Sequence, residues 1–273
     1  MIKENLLVAA DFAVKLVRSR YMLKAMALRE LKASYVGSAF GFSWAVLSPL
    51  AQLAIYGVVF GTFFKATPDP RYSTDSYFLF LLCGLVPWQF FSQTVTTTSG
   101  CINSNANLVK KAVGFPVEIL PIVTVLSNLI GHFISLALLL IFIAVFTAKL
   151  PVTLPLVFVY LFFTTLLAVG FGWALASLNV FLKDIAQVIT LLVMGWFFFT
   201  PVIYSPDIVP PAVLPFMKLN PLYHMVEGYR MALLAGRPLP WLDFAYLAVV
   251  SVVVLGAGGV FFRKLKPWFA EVL

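Results

Sequence analysis

The chain has 273 residues, 62% of them hydrophobic and 11% charged, with a mean hydropathy of +0.98 and a formal net charge of +8. This composition excludes a soluble domain that surrounds an apolar core with a polar shell. Several uninterrupted apolar runs of about 20 residues favour membrane-crossing helices over a barrel, whose strands would alternate polar and apolar residues.

The N-terminal stretch MIKENLLVAADFAVKLVRSR carries Glu4 and Asp11 and lacks a small-residue cleavage site, so no removable signal peptide is expected. From Met22 to Val36, residues Leu23, Ala27, Leu28, Leu31 and Tyr35 share one helical face, and Arg29, Glu30 and Lys32 share the other. That pattern predicts an amphipathic helix in the membrane interface, closing an N-terminal arm over residues 1–36.

Six spans follow: Gly41 to Phe64, Tyr77 to Thr98, Val117 to Ala148, Val152 to Phe181, Ile185 to Tyr204, and Trp241 to Phe262. The third and fourth exceed what the hydrocarbon needs and are expected to tilt or project. The whole chain, 1–273, reads as one transmembrane domain, with spans one to five in 41–204 and the sixth in 241–262. Gly37 with Gly41, and Gly57 with Gly61, are G-x-x-x-G pairs that permit close helix packing. Cys83 and Cys101 fall on one predicted helix, about 27 Å apart at about 1.5 Å per residue, beyond disulfide reach.

Between the second and third spans, SNANLVKKAVGFP (104–116) interrupts the apolar sequence. Asn105 or Asn107 caps a short helix there, Leu108, Val109, Ala112 and Val113 give it an apolar side, and Gly114 ends it. Lys110 and Lys111 hold this loop on the cytoplasmic side.

Residues 205–240 are too polar for two spans and too apolar for an ordinary loop. Asn220 and Pro221 read as a cap followed by proline in the first helical turn, and Gly236 with Pro238 as a stop. Leu222, Met225, Val226, Tyr229 and Leu233 form an apolar stripe, with His224, Glu227 and Arg230 at i, i+3, i+6 beside it. Two short re-entrant helices on the external side are predicted, covered by protein or by a wet cavity.

Six spans place both termini on one side. With cytoplasmic termini, Lys and Arg at 3, 15, 18, 20, 24, 29, 32, 110, 111, 183, 263, 264 and 266 lie inside, and those at 65, 71, 149, 218, 230 and 237 outside. The excess inside sets the orientation. The positive charge points to anionic lipid headgroups, and no basic stripe interleaved with exposed aromatics suggests nucleic acid.

Chemistry motifs are few. His132 and His224 have no metal-ligand spacing, no C-x-x-C occurs, and Glu118, Asp184, Asp207, Glu227 and Asp243 form no pair at one interface, so neither a metal site nor catalysis is expected. No Gly-Lys dipeptide exists, which removes a P-loop and leaves ATP hydrolysis, if used, to a partner. No acidic residue lies mid-span, so ion coupling has no support. His132, in SNLIGHF near Ser127 and Asn128, either bonds between helices or contacts a translocation path.

Aromatic residues make up 16% of the chain. An aromatic residue beside a polar one inside a span is expected to face a wet lumen, unlike an aromatic within a Leu-Val run. Trp44, Tyr56, Trp88, Phe91, Phe197, Phe198 and Phe199 are candidates because Gln52, Gln89, Ser92, Gln93 and Thr200 lie beside them.

Four separated segments, RELKASYVGSAFGFSWAVLSPLAQLAIYGVVFGTFF, NLVKKAVGFPVEILPIVTVLSNLI, FFFTPVIYSPDIVP and LNPLYHMVEGYRMALLAG, resemble the membrane subunit of bacterial type-2 ABC exporters. The polysaccharide branch, comprising O-antigen, capsule and teichoic-acid permeases, is the most similar. The resemblance implies a homodimer joined to two copies of a cytoplasmic ABC ATPase, which holds ATP and magnesium, while this chain carries no cofactor. It implies export of a polyprenyl diphosphate-linked glycan across the bacterial inner membrane. Arg29 and Glu30 match the R-E pair of the interface helix. Residues 104–116, with Asn105, Asn107, Leu108, Val109, Lys110 and Lys111, match the loop whose coupling helix docks in the ATPase. Residues 205–240 match the external gate, with Tyr223, His224, Glu227 and Arg230. A drug or lipid export permease and a membrane-embedded glycolipid enzyme are the alternatives.

Overall fold

A computed structural model describes residues 19–33, 37–59, 71–72, 76–111, 115–148 and 150–273, with Phe42 and Lys111 described in their backbone alone. Tyr35 and Val36 of the predicted interface helix, the end of the first predicted span with Gly61, and Ala112, Val113 and Gly114 of the loop lie outside the described residues.

The described residues are helical and contain no strand. The chain runs through α1 (Arg20–Ala33), α2 (Trp44–Val58), α3 (Tyr77–Ser99), α4 (Cys101–Ser104), α5 (Ala106–Lys111), α6 (Ile119–Thr147), α7 (Leu154–Phe181), α8 (Ile185–Phe199), α9 (Leu214–Lys218), α10 (Pro221–Arg230), α11 (Trp241–Leu265) and α12 (Phe269–Val272). α3, α6, α7 and the stretch Trp241–Val272 are long and apolar enough to cross a membrane. α2 and α8 stand at the first and fifth predicted spans but have 15 residues each. At about 1.5 Å per residue α8 reaches about 22 Å, short of the roughly 30 Å hydrocarbon core. α8 stops at Phe199 because Thr200 is extended and Pro201 follows.

α3 is the central element. Ser76 caps it by accepting from the Leu79 amide, and its apolar side is buried against α6, α7, α8 and α10. Its hydroxyl residues are accommodated locally: Thr98 donates to the Thr94 carbonyl at 2.6 Å, and Thr97 to the Gln93 carbonyl at 2.8 Å. The helix breaks at Gly100, so Cys83 and Cys101 sit on different helices; both are free thiols, buried in different parts of the core.

α7 and α11 cross at glycine. A β-carbon at Gly258 would stand 2.1 Å from the Gly170 carbonyl oxygen, so the two backbones touch. The expected G-x-x-x-G site at Gly37 and Gly41 is different: both have positive φ, with open space around them, and serve a turn instead of a helix crossing.

α1 does not lie alone in the interface. Leu23, Ala27 and Leu31 are buried, and the first two pack on Ile119 and Val123 of α6, whereas Leu28 of the predicted apolar face is exposed. An i, i+4, i+8 stripe is narrow enough to be covered by one helix.

Candidate translocation groove and its two ends

α2, α3 and α8 frame a groove of about 500 Å³ on the side of the bundle. α3 supplies its polar wall. Gln89, Ser92, Gln93, Thr96 and Thr97 recur at helical spacing and so share one face, while the opposite face enters the core. Gln52 of α2 and Thr190 of α8 add polar groups, and both are exposed. Four of the predicted aromatics, Tyr56, Trp88, Phe197 and Phe198, line the same groove. Trp88 meets Phe197 edge-on at 5.5 Å, and Phe197 meets Phe198 at 5.4 Å. Ring platforms therefore alternate with amide and hydroxyl groups, with no charged side chain among them.

The other three candidates lie elsewhere. Phe91 is fully buried, edge-on to Trp196 at 5.6 Å and to Phe171 at 6.0 Å, because two positions from both Gln89 and Gln93 it falls on the opposite side of the helix from those groove-lining residues. Phe199 points outward with 71% of its surface exposed. Trp44 packs edge-on against Phe40 near the start of α2. Thr96, Thr97 and Thr190 went unrecognised as lining residues, although the i, i+3, i+4, i+7 polar stripe of α3 was the available signal.

At the basic end of the bundle, α5 (Ala106–Lys111) is the short helix of the predicted loop, with Asn105 before it. The Asn105 carbonyl accepts from the Leu108 and Val109 amides, but its side-chain amide donates backward to the Cys101 carbonyl at 2.8 Å. Leu108 and Val109 face a core built with Ile102, Val180, Phe262 and Phe269, while Asn107 and Lys110 are exposed. Two features here were not predicted. The C-terminal helix α12 inserts Phe269 beneath the loop, 1% exposed, and Lys266 Nζ pairs with Glu118 Oε2 at 2.6 Å. Nearby, Thr124 donates to Glu30 at 2.7 Å and fastens α1 to α6. Burial pushes the Glu30 carboxyl above the usual carboxylate range, against the opposing effects of that hydrogen bond and of Arg29.

At the opposite end, α10 is buried from Leu222 to Arg230. Asn220 caps it, accepting from the Leu222 amide at 3.0 Å and from the Trp196 indole at 3.0 Å. Arg230 has no exposed surface: it donates to the Pro201 and Val202 carbonyls at 2.6 Å each and pairs with Glu227 at 3.2 Å. Tyr72 donates to the other Glu227 oxygen at 2.5 Å. His224 bonds the Lys218 carbonyl through Nε2 at 2.7 Å and lies 3.5 Å from Asp243. Tyr223 packs edge-on against His224 at 5.2 Å. The polar residues of the predicted gate thus face inward and bind α10 to its surroundings.

The sequence pattern of the ABC-2 type transporters matches residues 21–234, from α1 to just beyond α10. The chain belongs to the ABC-2 type transporter family. Among similar ABC-2 proteins, the O-antigen export system permease protein RfbA of Myxococcus xanthus is 31% identical over 269 residues, covering 94% of this chain and 99% of that protein. A protein of the same name from Klebsiella pneumoniae is 28% identical, covering 90% and 92%. The polysialic acid transport protein KpsM of Escherichia coli is 26% identical, covering 88% and 92%. The groove, the basic-end loop and α10 all fall inside the matched ABC-2 region.

Proposed function

We propose that this ABC-2 chain is the permease subunit of an ATP-driven polysaccharide exporter. The observation that carries the reading is the groove: along α2, α3 and α8, of which α2 and α8 also expose large apolar side chains, polar amides and hydroxyls interleave with aromatic rings. Lipid cannot satisfy such groups, so a second copy closing over α2, α3 and α8 turns two grooves into one channel. Its chemistry suits a sugar chain that slides, because rings offer surface to C–H faces and the polar groups are neutral. The RfbA and KpsM names support a polysaccharide as cargo.

In this reading the chain has six spans with both termini cytoplasmic in a bacterial inner membrane, and α8 is a short one. The ATPase is a separate protein that docks on α5. Its closure moves α5 and α1, and the Lys266–Glu118 and Glu30–Thr124 links carry that motion into α6 and α11. The glycan enters on a polyprenyl diphosphate carrier from the cytoplasmic leaflet. Several carboxylates that an enzyme would need free are in ion pairs: Glu118 with Lys266, Glu227 with Arg230, and Asp207 with Arg71.

The deciding experiment reconstitutes the chain with its ATPase in liposomes supplied with lipid-linked glycan. Glycan movement is expected to need ATP and both proteins. Movement driven by an ion gradient without the ATPase would overturn the proposal.

A further inference from the structure

Behind α2 lies a second space, of about 300 Å³, bounded by α2, α3 and α6 with Leu31 of α1 at its edge. It adjoins the groove: Gln52, Gln89, Ser92 and Gln93 line both. Its remaining polar lining comes from Ser48 of α2 and from Ser127, Asn128, His132 and Ser135 of α6. Among the described residues, no Lys, Arg, Asp or Glu lines it.

Two lining residues carry unmet hydrogen-bonding capacity. His132 is 3% exposed, and its Nε2 is 3.0 Å from the Tyr229 hydroxyl. The ring also lies near the Val86 carbonyl, but Nδ1 completes no well-formed hydrogen bond. Gln89 Nε2 is likewise buried without a partner. Phe90 supplies an apolar ring, 5.1 Å from the His132 ring. At Gly131 a β-carbon would meet nothing within 4 Å, so α6 leaves the space open there.

An ion would need a charged or multidentate ligand set, and a diphosphate or phospholipid headgroup would need a cation. Neither is present. Uncharged donors and acceptors beside an aromatic ring fit a neutral, hydroxyl-bearing unit. We propose that this chamber is a side site of the translocation path, which holds one neutral sugar unit, a branch or chain end, while the main chain lies in the groove. His132 fixes α6 to α10 through the Tyr229 hydroxyl, and its ring forms part of the chamber wall. The proposal rests on the exporter reading.

The test places a photo-crosslinking benzoylphenylalanine, one position at a time, in the full chain in cells that make the glycan and the ATPase. Gly131 and Ser48 report the chamber, Thr96 the groove, and Val145, 73% exposed on α6, the lipid-facing surface. Glycan-reactive adducts are expected at Gly131, Ser48 and Thr96, none at Val145, and none in a strain without glycan. Adducts at Thr96 but at neither chamber position would overturn the side site and leave the exporter reading standing. Adducts at none of the three would overturn both. A chamber adduct that persists without glycan would make the occupant a lipid, and adducts at all four positions would make the labelling unspecific; both results reject the proposal. As a second measurement, Gly131→Leu fills the space without displacing a neighbour at Cβ. It is expected to lower surface glycan severalfold with an unchanged melting temperature, and unchanged export would count against the site.

Discussion

The Arg230 guanidinium lies 3.7 Å from the centre of the Phe80 ring, wholly removed from solvent, and ties α10 to α3. The same group also binds the Pro201 and Val202 carbonyls, in the turn that follows α8. One side chain therefore closes three elements at the end of the bundle opposite the basic loop. Breaking a buried pair by removing one partner costs about 3–5 kcal/mol, because the remaining charge stays buried. Arg230→Met should lower the melting temperature in detergent sharply, and Glu227→Gln combined with it should recover part of the loss. A double variant no more stable than Arg230→Met alone would mean that the carbonyls, not Glu227, set the cost.

The Gly170–Gly258 crossing predicts a sharp contrast among neighbouring glycines. Gly258→Ala drives a methyl group into a backbone carbonyl, which cannot rotate away, and overpacking of this kind costs about 1–3 kcal/mol or more. Gly259→Ala meets the Trp173 ring at 3.5 Å, an ordinary contact, and Gly256→Ala meets nothing. Thermal unfolding of the three variants should separate Gly258 from the other two.

Phe91 and Phe198 divide core from path. Phe91→Ala empties a fully buried position and should cost about 3–5 kcal/mol in stability. Phe198→Ala removes an exposed ring from the groove wall, so the melting temperature should hold while export falls. Parallel measurement of stability and transport distinguishes the two, and equal losses of both in Phe198→Ala would remove that ring from the path.

Where the sequence was legible, the physics was local. Asn220-Pro221 starts α10, and the lysines of 104–111 mark a polar loop, because a cap or a charge acts within a turn or two. Trp88 and Phe91 look equivalent in sequence, yet one lines the groove and the other the core, since which helix face meets which neighbour is set by tertiary packing. Glu118 and Lys266 are 148 positions apart, and no local pattern joins them. The G-x-x-x-G spacing drew attention to Gly37 and Gly41, which lie in a turn, while the true crossing pairs two glycines from different helices, each without such a partner in contact.

Phe269 predicts a defect in coupling. Its ring packs edge-on to Phe262 at 5.4 Å and lies 6.1 Å from Phe181, under Leu108 and Val109 of the loop. Phe269→Ala should loosen α5 without disturbing the groove, which is built from α2, α3 and α8. ATP hydrolysis by the reconstituted complex should continue while transport per ATP falls. An unchanged ratio would show that α12 plays no part in coupling.

His224 predicts a pH response at the α10 end. Its ring is 2% exposed, and burial lowers its pKa below the usual histidine value, while the Lys218 carbonyl, Asp243 and Glu227 oppose that shift and Lys218 adds to it. The unfolded chain takes up a proton near about pH 6.5, and the folded chain only at lower pH. Between those values the unfolded state binds more protons, so stability rises with pH and is lost as pH falls below about 6.5. The melting temperature of the detergent-solubilised protein should therefore drop between pH 7.5 and pH 5.5. His224→Gln keeps a donor for the Lys218 carbonyl but cannot titrate, so its melting temperature should fall less over the same interval. Equal falls in the two proteins would assign the response to the carboxylates around His224, and a rise in the wild type on acidification would mean that the Asp243 pairing outweighs burial.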